Sequence, residues 1–200
     1  SESQVDEQTK ELEGWLKTTA LAHRSAHSLE EAEKLWEVRR QGSSSMKKLA
    51  STKLNEDVVV PLGKQVELVG AVERLRAVYG IKIGVFGHCG DGNLHVNLMY
   101  DEENSEETSR AVSALKELMS KVIELGGAIS GEHGVGLAKT PFVREQFNKA
   151  EWQAMLAIKE ALDPNKILNP GKIFDVFHPW EQKKKSVTLS WEIENKEPKP

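Results

Sequence analysis

Apolar positions recur along this chain with two different periods, and the switches between them mark its elements. Over residues 1–41 the anchors Leu12, Trp15, Leu16, Leu35, Trp36 and Val38 stand among charged side chains, which predicts helix with a break around Ala26–Ser28. Residues 42–57 are polar and read as a loop, and the Val58–Pro61 run reads as a short strand closed by proline. Val66, Val69, Val72, Leu75 and Val78 then fall at helical spacing within residues 63–80. Residues 81–88 and 93–100 read as two strands joined by a glycine-rich turn. A strong amphipathic helix follows, with Ser105 as N-cap and Gly126-Gly127 as its stop. Residues 128–136 read as a brief strand entering a glycine loop. Residues 148–164 read as a last helix, stopped at Asp163-Pro164 before a turn-rich exit.

The order α, β, α, β, β, α, β, α predicts an α+β fold, with an antiparallel, ferredoxin-like sheet covered by helices and a helical C-terminal segment. The chain is expected to divide into a helical segment over 1–41, an α+β body over 42–180 and a charged tail over 181–200. The Leu35, Trp36 and Val38 cluster is expected in the core.

Composition narrows the field. With 200 residues, 38% hydrophobic content and a formal charge of -4, the chain has room for one domain with a core and lacks the basic balance of a nucleic-acid binder. No apolar run approaches the roughly 20 residues that span a bilayer. A single cysteine, Cys89, excludes an internal disulfide framework and fits a reducing compartment, either the cytoplasm or, in a eukaryote, the mitochondrial matrix. Cys89 itself is expected to be a small buried side chain. The first residues have neither an initiator methionine nor the order of a signal peptide, which is compatible with a piece excised from something longer.

The chemistry concentrates in GHCGDGNLHVN, residues 87–97. Gly90 and Gly92 disfavour a helix there, so His88 and His95 flank a turn and can face one point, as two metal ligands require. Asn97, two residues past His95, shares its face on a strand. A third ligand is expected from SGEHGVG, residues 130–136. Adjacent side chains of an extended segment point to opposite faces, so Glu132 is assigned to the metal and His133 is left free as a base. Two histidines and a glutamate with an open position suit a divalent ion, zinc-like or manganese-like. A histidine pair alone is more often structural, and the turn and the Glu132-His133 segment are what weigh against that reading.

GHCGDGNLHVNLMY, GGAISGEHGVGLAK and LDPNKILNPGKIF, together with LWEVRR and NEDVVVP upstream, resemble the C-terminal half of the FAD-linked oxidases of 2-hydroxy acids. That group includes the flavin subunit of glycolate oxidase and the D-lactate and D-2-hydroxyglutarate dehydrogenases. The resemblance runs from about Leu35 to Phe174. It implies oxidation of a D-2-hydroxy acid, with His88, His95 and Glu132 holding zinc, manganese or iron and His133 taking the hydroxyl proton. It also implies that Asn97 helps place the substrate and that Arg39, in the LWxxR pattern, clamps its carboxylate. The substrate-binding lysine of some relatives falls where this chain has Asn55, and Lys53, two residues earlier, is carried as the substrate contact. Asn169 of LNPGK is carried as a cofactor contact. The FAD of the resembled enzymes sits mainly on an N-terminal domain that this chain does not contain. The partners implied are that domain, a small 2-hydroxy acid and an iron-sulfur electron-transfer subunit. The competing readings are a non-catalytic metal-binding or subunit-docking module, and a small metallohydrolase.

Overall fold

A computed structural model describes residues 2–46 and 48–174, so the tail expected over 181–200 lies outside the described residues. The chain forms two compact units that divide between Leu49 and Ala50. The first holds helices α1 (Glu2–Thr19) and α2 (Leu29–Met46), with the break between them over residues 20–28. Trp15, Trp36 and Val38 are 60%, 59% and 74% exposed, so the expected core cluster around Leu35 is not a core. Two helices by themselves cannot enclose an apolar stripe.

The second unit carries strands β1 (Thr52–Val59), β2 (Lys82–His88) and β3 (Asn93–Tyr100). Helix α3 (Gln65–Tyr79) links β1 to β2, and α4 (Ser105–Glu124), α5 (Thr140–Gln146) and α6 (Lys149–Leu162) follow β3. The loop expected over 42–57 is reduced, among the described residues, to 48–51. Helix α2 runs on to Met46 and β1 begins at Thr52, since an edge strand accommodates its polar residues, Asn55 exposed near its middle and Glu56 and Asp57 buried on opposite faces. β3 is central, antiparallel to both neighbours, and buried along its whole length. The fourth strand is reduced to one antiparallel bridge, Val59 to Ala128, on the outer edge of β1. That places the chain in the ferredoxin-like strand order with its last strand nearly gone.

The strand registers are continuous, so alternation assigns each side chain to a face. Val58, Leu94, Val96, Leu98 and Ile83 face α3 and α4 and build the core. On α3 the buried stripe is Leu68, Ala71, Val72 and Leu75, whereas Val66 and Val78 of the expected stripe are exposed. Both stripes fit a helical period, and only contact with the sheet separates them. On α4 the N-cap is Asn104, one residue before the expected Ser105, with its side chain accepting from the Glu106 and Glu107 amides. Among the described residues no helix is long and apolar enough to cross a membrane.

Candidate metal centre

The second face of the sheet carries Asp57, Asn93, His95 and Asn97 with Phe86 and His88 alongside, by the same registers. Residues Cys89–Asp91 form one tight 3-10 turn, closed by Gly92 at φ 75°. A Cβ on Gly92 would stand 2.2 Å from the Val60 carbonyl oxygen, so only glycine fits where this turn passes the residue after β1. The turn brings the His88 and His95 rings to 5.5 Å, edge to face.

The loop after Ile129 completes the cluster. Glu132 Oε1 lies 3.4 Å from His95 Nε2, 3.6 Å from His88 Nε2 and 3.7 Å from His133 Nε2. Two donor atoms each about 2.1 Å from one tetrahedral ion are about 3.4 Å apart, so these spacings suit a shared cation. One donor atom from each of His88, His95 and Glu132 falls within 4.8 Å of the others. The expectation that an extended segment would turn Glu132 and His133 apart is not met. Residues 131–133 are a bend rather than a strand, and both side chains converge. The His133 ring stacks on His95 at 5.3 Å and 11°. His95 is buried whereas His88, Glu132 and His133 are exposed, so the cluster is anchored on one side and open on the other. A bound ion would therefore keep a position for substrate.

Asp57 and Lys139 belong to this site and went unnoticed in the sequence. Asp57 is fully buried opposite His95 in the register. Its Oδ2 accepts from the backbone N–H groups of Gly131, Glu132 and His133 at 2.9, 2.7 and 2.8 Å. Burial opposes its ionisation, but those bonds and the Lys139 ammonium outweigh burial and hold its carboxyl below the ordinary range. Lys139 Nζ donates to the Asp57 carbonyl at 2.6 Å, and burial lowers its pKa against the pull of Glu56 and Asp57. Burial likewise lowers His95, opposed by Asp57 and Glu132, which favours the neutral imidazole that a metal needs. Asp57 Oδ1, Asn93 Oδ1, His95 Nδ1 and Asn97 Oδ1 are buried with no hydrogen-bond partner among the described residues. The one sequence signal for Asp57 is an acid directly before a valine run on a strand.

Asn97 is buried on the His95 face and donates to the His95 and Gly84 carbonyls. Lys53 is half-buried on β1, four residues from Asp57 on the same face. Arg39 is exposed on α2, in the first unit. Asn169, at φ 45°, lines a cavity of about 120 Å³ beside α6 together with Lys159, Lys166 and Lys172, and none of the cluster residues lines it. Cys89 is exposed rather than buried, because it opens the turn instead of continuing β2.

Fold and site together define an α+β domain with a metal-competent cluster on the polar face of its sheet. The family model for FAD linked oxidases, C-terminal domain, matches residues 1–173, and the chain belongs to that family. Glycolate oxidase subunit GlcD of Bacillus subtilis (strain 168) is 43% identical over 158 residues, covering 79% of this chain and 34% of that protein. D-lactate dehydrogenase of Anaerostipes hadrus is 40% identical over 118 residues, covering 58% of this chain and 25% of that protein. The chain thus spans about a third or less of these curated relatives' length. Among solved structures, 4-ethylphenol oxidase from Gulosibacter chungangensis in an isoeugenol complex superposes with a TM-score of 0.56. At 21% identity, over 91% of this chain and 38% of that one, it shows a shared fold.

Proposed function

We propose that the chain is the substrate- and metal-binding domain of a flavin-dependent enzyme that oxidises a D-2-hydroxy acid of the glycolate or D-lactate type to the 2-oxo acid. The observation that carries this reading is the convergence of three imidazole nitrogens on one carboxylate oxygen of Glu132. Membership of the FAD-linked oxidase family supports it. His88, His95 and Glu132 hold a zinc, manganese or iron ion, which when bound polarises the substrate hydroxyl. FAD, carried mainly by another domain of the parent chain, supplies the acceptor for the hydride from C2.

This chain's own residues bind, orient and move the proton. His133, exposed and stacked on His95, accepts the hydroxyl proton at a ring nitrogen. Asn97, on the His95 face of β3, helps place the substrate. Arg39 grips the substrate carboxylate through paired N–H bonds, Lys53 adds a second cation, and Asn169 contacts the cofactor. An iron-sulfur subunit as electron acceptor, and a cytoplasmic or matrix location, rest on the resemblance and the composition alone.

Dye reduction by the parent enzyme with glycolate and D-lactate tests the reading. His133→Gln is expected to lower kcat by about 10²–10⁴-fold while the metal content stays at the wild-type level. A parent enzyme that binds the ion but oxidises no small 2-hydroxy acid contradicts the reading and favours the non-catalytic docking module.

A further inference from the structure

We propose that Asp57 is the positioning residue of this site, one carboxylate that fixes the Glu132-His133 loop with one oxygen and the His95 ring with the other. The inference rests on the metal-centre reading above. Asp57 lies 75 positions from Glu132 in sequence, yet its Oδ2 accepts three consecutive amide N–H groups, those of Gly131, Glu132 and His133. These bonds set the backbone from which the third ligand and the base project. Gly131 is what allows the approach, since a Cβ there would stand 2.8 Å from Asp57 Oδ1 and from the Asn93 side chain.

The second oxygen has a different task. Asp57 Oδ1 and His95 Nδ1 face each other at 3.7 Å, beyond hydrogen-bond length, and each is buried with no hydrogen-bond partner among the described residues. A carboxylate accepts only, so it selects the tautomer with the proton on Nδ1 and leaves the lone pair on Nε2, the atom that faces Glu132. Lys139 donates to the Asp57 carbonyl and stands 4.0 Å from Oδ2, which adds a second tie on the acid. Register pairing of Asp57 with His95 across β1 and β3 makes this geometry a property of the sheet rather than of a loop.

Two variants of the 200-residue chain separate the tasks. In Asp57→Asn the amide oxygen still accepts from the loop, so its nitrogen faces His95 and donates to Nδ1. Imidazole ¹⁵N spectra of the metal-free chain are then expected to show His95 switching from the Nδ1–H to the Nε2–H tautomer. Co²⁺ affinity, followed by visible absorption, is expected to fall about 10–100-fold. Asp57→Ala removes both contacts, and amide exchange at Gly131, Glu132 and His133 should accelerate at least about tenfold while the amides of β3 keep their protection. Should Asp57→Ala not fold, Gly131→Ala gives the same exchange result by pushing the loop off the carboxylate. An unchanged tautomer or wild-type Co²⁺ affinity in Asp57→Asn overturns the proposal, as does unchanged loop exchange in Asp57→Ala. A wild-type chain that binds no Co²⁺ instead overturns the metal reading, and the metal-free tautomer and exchange data then decide the case of Asp57 by themselves.

Discussion

The two faces of the three-stranded sheet are made by the same strands, residue by alternate residue, and they obey different rules. The face under α3 and α4 is filled by Val58, Leu94, Val96, Leu98 and Ile83, whose contribution is burial and close packing. The opposite face sets Asp57, Asn93, His95 and Asn97 side by side and leaves one polar atom of each unpartnered. An unsatisfied buried polar atom costs about 1–3 kcal/mol, so the second face gives up stability that the first supplies. The exposed His88, Glu132 and His133 beside them are the groups able to meet a ligand. One residue breaks the rule, since Glu56 sits on the apolar side opposite Val96 with its Oε2 unpartnered.

The largest expected effect separates the faces cleanly. Leu98→Ala empties space behind the sheet and is expected to cost about 3–5 kcal/mol in chemical denaturation, with metal affinity unchanged. Coupled loss of both would show that the faces are not independent. The next effect concerns Glu56, whose carboxyl burial pushes up to about 7, with Asp57 adding to the rise and Lys139 opposing it. A raised folded pKa means the neutral acid is the form the fold tolerates, so its stability contribution is full below about pH 4.5 and is lost as pH rises through 7. The decline is on the order of 3 kcal/mol, and Glu56→Gln should flatten it in denaturation curves taken between pH 4.5 and 8.

Two smaller effects sharpen the contrast. Gly92→Ala forces a Cβ towards the Val60 carbonyl at a positive φ and is expected to cost about 2 kcal/mol while also weakening the metal, since the turn sets His88 against His95. A stability loss with intact metal binding would place the turn outside the site. Asn104→Ala removes the α4 cap and should cost about 1 kcal/mol, with no effect on the polar face.

What was legible in the sequence follows from how local each signal is. His88, His95 and the turn between them could be read because glycines dictate the chain reversal within a few residues. Glu132 was legible as chemistry, but its geometry was not, since the bend over residues 131–133 is imposed by Asp57, more than 70 positions away. Asp57 stayed hidden because its meaning lies in a strand register that no local pattern encodes. Helix α5, seven residues opened by Thr140-Pro141, is too short for its period to show. The buried stripe of α3 was misplaced because its valines and leucines fit two faces equally well, and the sheet alone chooses.

The central claim is that the polar face holds one cation through His88, His95 and Glu132. Its most direct test is a metal titration of the chain, prepared free of chelator and affinity tag, beside Glu132→Ala and the double variant His88→Ala, His95→Ala. The account predicts one ion per chain in the wild type, at least about a hundredfold weaker binding in Glu132→Ala, and none in the double variant, with the fold retained in all three. Wild-type stoichiometry in the double variant, or no binding by the wild-type chain, would contradict it.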